Sequence, residues 1–130
     1  METNTKRPDS IEAALKVTGD STPDYSHLSE DEAKHQKAQF NWQQIVKSLN
    51  KTRDPKWKAD YYDSSQIKHW PYAWLKKDET KRTGFGLSGT DFNCTDTVTD
   101  VGVRLLFASS DDVLYALKTF EQEYIESIIY

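Results

Sequence analysis

Cys94 is the only cysteine in the chain. Its solitude excludes an internal disulfide and any metal site built on several thiolates, and it agrees with a reducing compartment. In such a compartment the triplets Asn-Lys-Thr at Asn50 and Asn-Cys-Thr at Asn93 carry no glycosylation meaning. No apolar run approaches the roughly 20 residues that a membrane-spanning helix needs. The opening "METNTKRPDS" also lacks the apolar stretch of a secretion signal. The expectation is a cytoplasmic protein without a membrane partner. Internal repeats and low-complexity tracts are absent as well.

Recognisable catalytic patterns are equally scarce. His27, His35 and His69 fall in a linker, on a helix and in an aromatic strand with no motif joining them, and Cys94 sits in a polar stretch without a nucleophile signature. "GFG" at Gly84 to Gly86 has no Gly-Lys-Ser/Thr after it and no helix to aim amides at a phosphate, so glycines that ease a strand bend are the simpler reading. Asp91, Asn93 and Thr95 begin a calcium-loop spacing, but its sixth position is Asp96 and its twelfth Gly102, so the turn glycine and the closing glutamate are both missing. These absences lead to the expectation of a non-enzymatic protein that needs no metal or cofactor.

What is present is aromatic and unevenly charged. Four Trp, seven Tyr and five Phe in 130 residues are more than disordered segments carry, so the chain is expected to fold as one domain over residues 10–130, with residues 1–9 loose. The net charge of −4 conceals three blocks: residues 1–32 hold three basic and eight acidic groups, 33–82 twelve and five, and 83–130 two and eight. The basic middle contains all four tryptophans, Trp42, Trp57, Trp70 and Trp74. A basic block between acidic ends points to an anionic partner, or to steering of a protein partner.

Ser10 and Gly19 bracket a short helix with Ile11, Ala14 and Leu15 on one face. "DSTPDYSHL" reads as a linker, and "SEDE" at Ser29 to Glu32 as a capping box that starts a second helix. Ala38, Trp42, Ile45 and Leu49 form its apolar stripe, and its end is expected near Asn50. "DPKWKADYYD" is left as a short strand or turn. Residues 67–75 favour a strand, although Pro71 confines it to an edge, bulge or bend. "TGFGLS" and "VGVRLLFAS" read as two strands joined by the loop "GTDFNCTDTVTD". From Asp111 to about Ile128 a single helix is expected, capped by Ser109 or Ser110, with the stripe Val113, Leu117, Phe120, Tyr124 and Ile128 packed on Val103, Leu105 and Phe107. Alternation would place Arg104 and Leu106 on the far side. The expected class is α+β: a small antiparallel sheet of about three to four strands packed by the C-terminal helix, with two helices on the N-terminal side.

The stretch "HWPYAWLKKDETKRTGFG" supplies the candidate site. Trp70, Tyr72, Trp74, Lys76, Lys77, Lys81 and Arg82 combine rings that stack on bases with cations that attract phosphate, a set suited to nucleic acid or a nucleotide. The competing reading is a core strand followed by a solvated charged turn, since Trp is commonly core in a domain this small. The same aromatics would also serve as hot spots in a protein-interaction module.

Several segments, taken in order, carry a resemblance: "IEAALKVTGD", "IVKSLN", "DPKW", "WPYAW", "GFG" and "VGVRLLFASSDDVLYALKTF". Together they resemble short uncharacterised proteins encoded by phages and integrated mobile elements of Bacteroidetes. Val103, Leu106 and the pair Asp111–Asp112 stand where more polar or basic residues would be expected from the resemblance. No catalytic residues come with it. It implies a small accessory protein inside a host bacterial cell that binds nucleic acid or a nucleotide, or that binds or inhibits a host protein.

Overall fold

The computed structural model describes residues 6–60, 62–63, 65–95 and 105–130, excluding the side chains at 91 and 93–95. The loop at 96–100, the expected strand residues 101–104 with Val103 and Arg104, and the Cys94 side chain lie outside the described residues. Among the described residues four helices and two strands follow in the order α1 (Ile11–Thr18), α2 (Glu30–Arg53), β1 (Lys68–Lys77), β2 (Phe85–Thr95), α3 (Ser110–Thr119) and α4 (Glu121–Ile129). No helix among the described residues is long and apolar enough to cross a membrane.

The helix starts follow local chemistry. Ser10 Oγ accepts the Ala13 N–H at 3.1 Å, and Gly19, at φ 77°, closes α1 by donating to Leu15 O at 2.8 Å. Ser29 Oγ accepts the Glu32 N–H at 3.2 Å, but Glu32 accepts from Gln36 Nε2 instead of reaching back to the cap. Only half of the capping box is therefore formed. α2 also continues past Asn50 to Arg53, because tertiary partners hold its last turn. Asn50 Nδ2 donates to Leu106 O at 2.8 Å while its Oδ1 accepts the Ala108 N–H at 2.9 Å. One turn on, Arg53 grips Asp112 through Nε and Nη2 at 2.8 and 3.2 Å.

Asp112 is buried and also takes Arg7 Nε at 3.0 Å, so two guanidiniums balance one carboxylate that would otherwise be costly to bury. Arg7 lies over the Tyr115 ring, and Tyr115 Oη donates to Pro8 O at 3.0 Å. Arg7 and Pro8 thus rest against α3; residues 1–5 lie outside the described ones.

The core joins Trp42, Ile45, Val46 and Leu49 of α2 to Phe107, Val113, Ala116, Leu117, Phe120 and Tyr124. Trp42 sits between Tyr124 and Phe107, with ring centroids 5.0 and 6.1 Å away. α3 lies against both strands, and α4 against β2 and α2.

Four expectations about this half of the chain differ from what the described residues show. The described sheet has two antiparallel strands, with a single added bridge between His69 and Phe107. The "GTDFNCT" segment read as loop is the second half of β2, because the ten residues of β1 offer it a full ladder from Lys68 to Thr95. Leu106 and Phe107 are both fully buried, so strand alternation does not hold there. The backbone of that segment bonds to the Asn50 side chain as well as to His69, and a chain held that way need not alternate. Finally, the C-terminal helix is two helices. Phe120, at φ −118° and ψ 38°, ends α3 and begins α4. The bend turns the buried face of α4 onto Tyr124 and Ile125 and leaves Ile128 52% exposed.

Candidate ligand surface on the hairpin

Alternation sorts the side chains of β1 from His69 onward, whereas Lys68 at its start is fully buried, its Nζ donating to Gln66 O at 2.9 Å. Ala73 packs against the core together with Leu87 and Phe92 of β2, so the inner face of the hairpin is apolar and covered by the helices. The outer face carries Trp70, Tyr72, Trp74 and Lys76. Trp70 is half-buried, whereas Tyr72 and Trp74 are 37% and 59% exposed. Pro71 costs no bond to β2: two residues before it, His69 directs its N–H and C=O away from β2 to Phe107, so the N–H missing at Pro71 is on that side too.

The opposing strand makes room for these large groups. Trp74 pairs with Gly89 and Lys76 with Gly86. The six-membered ring of Trp74 lies over Gly89, with Cε3 3.2 Å from where a β-carbon would stand, and Lys76 Cε lies 3.6 Å from the same point on Gly86. Between them the register shifts at Trp74/Leu75, leaving Ser88 as the bulged residue, whose Oγ donates to Trp74 O at 3.2 Å. Tyr72 and Trp74 meet edge to face at 5.5 Å. Their planes lie 72° apart, so the two rings offer differently oriented faces rather than a stack of parallel ones. The two glycines belong to the surface as much as the aromatics do. The sequence signal for them was Gly86 and Gly89 in "GFGLSG", of which Gly86 was read above as easing a strand bend and Gly89 as the start of a loop.

The remaining candidate residues are not part of this row. Lys77 points to the other side by alternation and pairs weakly with Glu79 at 3.6 Å. Lys81 Nζ is 3.7 Å from Glu121, and Arg82 donates to Glu126 at 2.7 and 3.3 Å with Glu123 at 3.4 Å. Glu126 holds the Arg82 guanidinium above the ordinary arginine range. Beside them, Thr83 donates to Gln122 Oε1 at 2.7 Å and Gln122 Nε2 donates to Phe85 O at 3.0 Å. The run "KKDETKR" is therefore fastened to α4, where sequence had shown only a polar connection. The turn itself is set by Asp78, which accepts from Thr80 N–H and Oγ1 and is held below the usual carboxylate range by them, and by Gly84 at φ 81°.

Among the described residues no group of three or more His, Cys, Asp or Glu side chains is arranged to hold a metal ion. What the outer face offers chemically is stacking area with Lys76 at one end, where the Asp78 carboxylate stands beside it over Gly86. No protein-family model, no curated protein and no solved structure matches this chain.

Proposed function

We propose that this protein is a non-enzymatic binder of single-stranded nucleic acid, with bases stacked on Trp70, Tyr72 and Trp74 and a phosphate beside Lys76. The observation that carries this reading is the row of outward rings on β1 over the glycines of β2, with Trp74 59% exposed. A ring kept at the surface on a rigid strand loses little entropy on binding, and base stacking contributes about 1–3 kcal/mol per base. In the setting that the resemblance implies, such a protein would act on phage or mobile-element nucleic acid in the host cytoplasm.

The competing reading is a host-protein partner. It is favoured by the small positive charge of the surface itself: Lys81 and Arg82 are spent on α4, and Asp91 holds the register position opposite Tyr72.

Fluorescence anisotropy with a labelled oligothymidine separates the two. On the nucleic-acid reading the intact chain binds at low salt, and Trp74→Ala weakens binding by about 1–3 kcal/mol while the melting temperature barely moves. Lys77→Ala leaves affinity unchanged, because Lys77 lies off the row. The salt dependence is shallow, near a slope of about −0.7 for each phosphate that Lys76 neutralises. Absence of oligonucleotide binding at low salt overturns this reading in favour of a protein partner.

A further inference from the structure

α2 presents Phe40, Gln43, Lys47 and Lys51 along one side at helical spacing, and the chain after the helix folds back opposite them. Asp54 sets that return: its carboxylate accepts the Lys56 N–H and its carbonyl the Trp57 N–H, both at 3.0 Å. Gln66 then clamps the next residues, donating to Lys58 O and accepting the Asp60 N–H, both at 2.7 Å. Trp57 and Lys58 are thereby fixed across from α2. The groove between has a volume of about 830 Å³, within the range of roughly 300–1,000 Å³ typical of small-molecule sites.

Its charges are not balanced. Lys47 Nζ is 2.7 Å from Asp20 Oδ2, which also accepts Gln44 Nε2 at 3.0 Å. Those two charges cancel, and Gln44 is fully engaged because its Oε1 accepts from Thr18 Oγ1. Among the described residues Lys51 and Lys58 form no direct ion pair, although Asp20, bonded to Lys47, also lies in the field of Lys51, and Gln43 forms no hydrogen bond. Trp57 is half-buried and stands outside the apolar core. Three lysines facing the single carboxylate of Asp20, flat rings at Trp57 and Phe40, and an uncommitted amide call for a ligand with a dianionic head, a flat ring and a polar ring edge. A phosphate monoester carries close to two negative charges at neutral pH.

We propose that this groove binds a small phosphorylated aromatic of the nucleoside monophosphate class, its ring on Trp57 and its phosphate on Lys51 and Lys58. The site shares no residue with the row on the hairpin, so each can fail without the other.

Titration calorimetry of the full chain tests this with AMP, GMP, CMP and UMP, and with adenosine and inorganic phosphate as partial probes. At least one monophosphate should bind, and its two halves alone should bind at least about tenfold more weakly. Lys51→Glu combined with Lys58→Glu should weaken the monophosphate by at least about tenfold with an unchanged melting curve, since both side chains are exposed. Trp57→Ala should weaken it too, and Trp74→Ala should not. No heat from any of the four at millimolar concentration overturns the proposal. So does wild-type affinity in the double lysine variant, or an equal loss in Trp74→Ala.

Discussion

His69 lies on the inner side of β1, its ring edge-on to Phe92 at 5.8 Å, and its Nδ1 is buried without a hydrogen-bond partner. Burial pushes the imidazole below its ordinary value near 6.5, only partly opposed by the backbone bond to Phe107. The sign of the pH effect follows. Above about 6.5 both folded and unfolded states hold a neutral ring, so stability there is complete. As pH falls, the unfolded chain takes up the proton first, and stability declines until the folded-state value is passed. Between about pH 7 and about pH 5 the melting temperature of wild type should therefore fall more than that of His69→Gln. His27 and His35 are common to both proteins and cancel in the comparison. Parallel profiles would mean that the ring is solvated in the native state. Nothing in "KHWPY" distinguished this histidine from the other two, because burial is a property of what packs against it.

At the scale of elements, the hairpin is held at its inner face by the core and at its turn by α4. The pair between Arg82 and Glu126 is bidentate, yet the arginine side chain is 55% exposed, so it adds only about 0–1 kcal/mol to global stability. Its effect is local. Arg82→Ala should leave the denaturation midpoint nearly in place while amide exchange across residues 78–84 accelerates relative to the rest of β1 and β2. If exchange there is unchanged, Thr83 and Gln122 alone fasten the turn. This element also shows how far composition can mislead. "GTDFNCT" carries the Asp, Thr and Asn of a loop, but its pairing with β1 supplies the backbone partners and places Phe92 against the core. A strand is stabilised by its neighbour, which a linear reading does not contain. Helix starts needed no neighbour: the Ser10 and Ser29 caps act within three residues, and both were readable in advance.

Across the whole molecule, Phe120 is the residue on which two helices and the core converge. It is 2% exposed, belongs to the cluster with Trp42 and Leu117, accepts the Tyr124 N–H through its carbonyl and donates its own N–H to Ala116. Phe120→Ala should cost about 3–5 kcal/mol, a large share of the roughly 5–15 kcal/mol that hold such a domain. A denaturant titration should show the midpoint strongly lowered or the variant largely unfolded. An unmoved midpoint would make the apolar stripe of α3 and α4 a partner-binding face. By itself the sequence determined the α+β class, the two N-terminal helices, the apolar stripe from Val113 through Tyr124 and the placing of Trp70, Tyr72 and Trp74 on one strand, because each rests on periodicity or capping within a few residues, whereas the exposure of Trp74 and of Ile128 was decided by what packs beside them. Only the tertiary structure decided the bend at Phe120, the full length of β2, the diversion of Lys81 and Arg82 to α4, and the groove facing Trp57. Each of these depends on groups distant in the chain, as Arg82 and Glu126 are at 44 residues, and such partners are chosen by packing and charge pairing in the folded state.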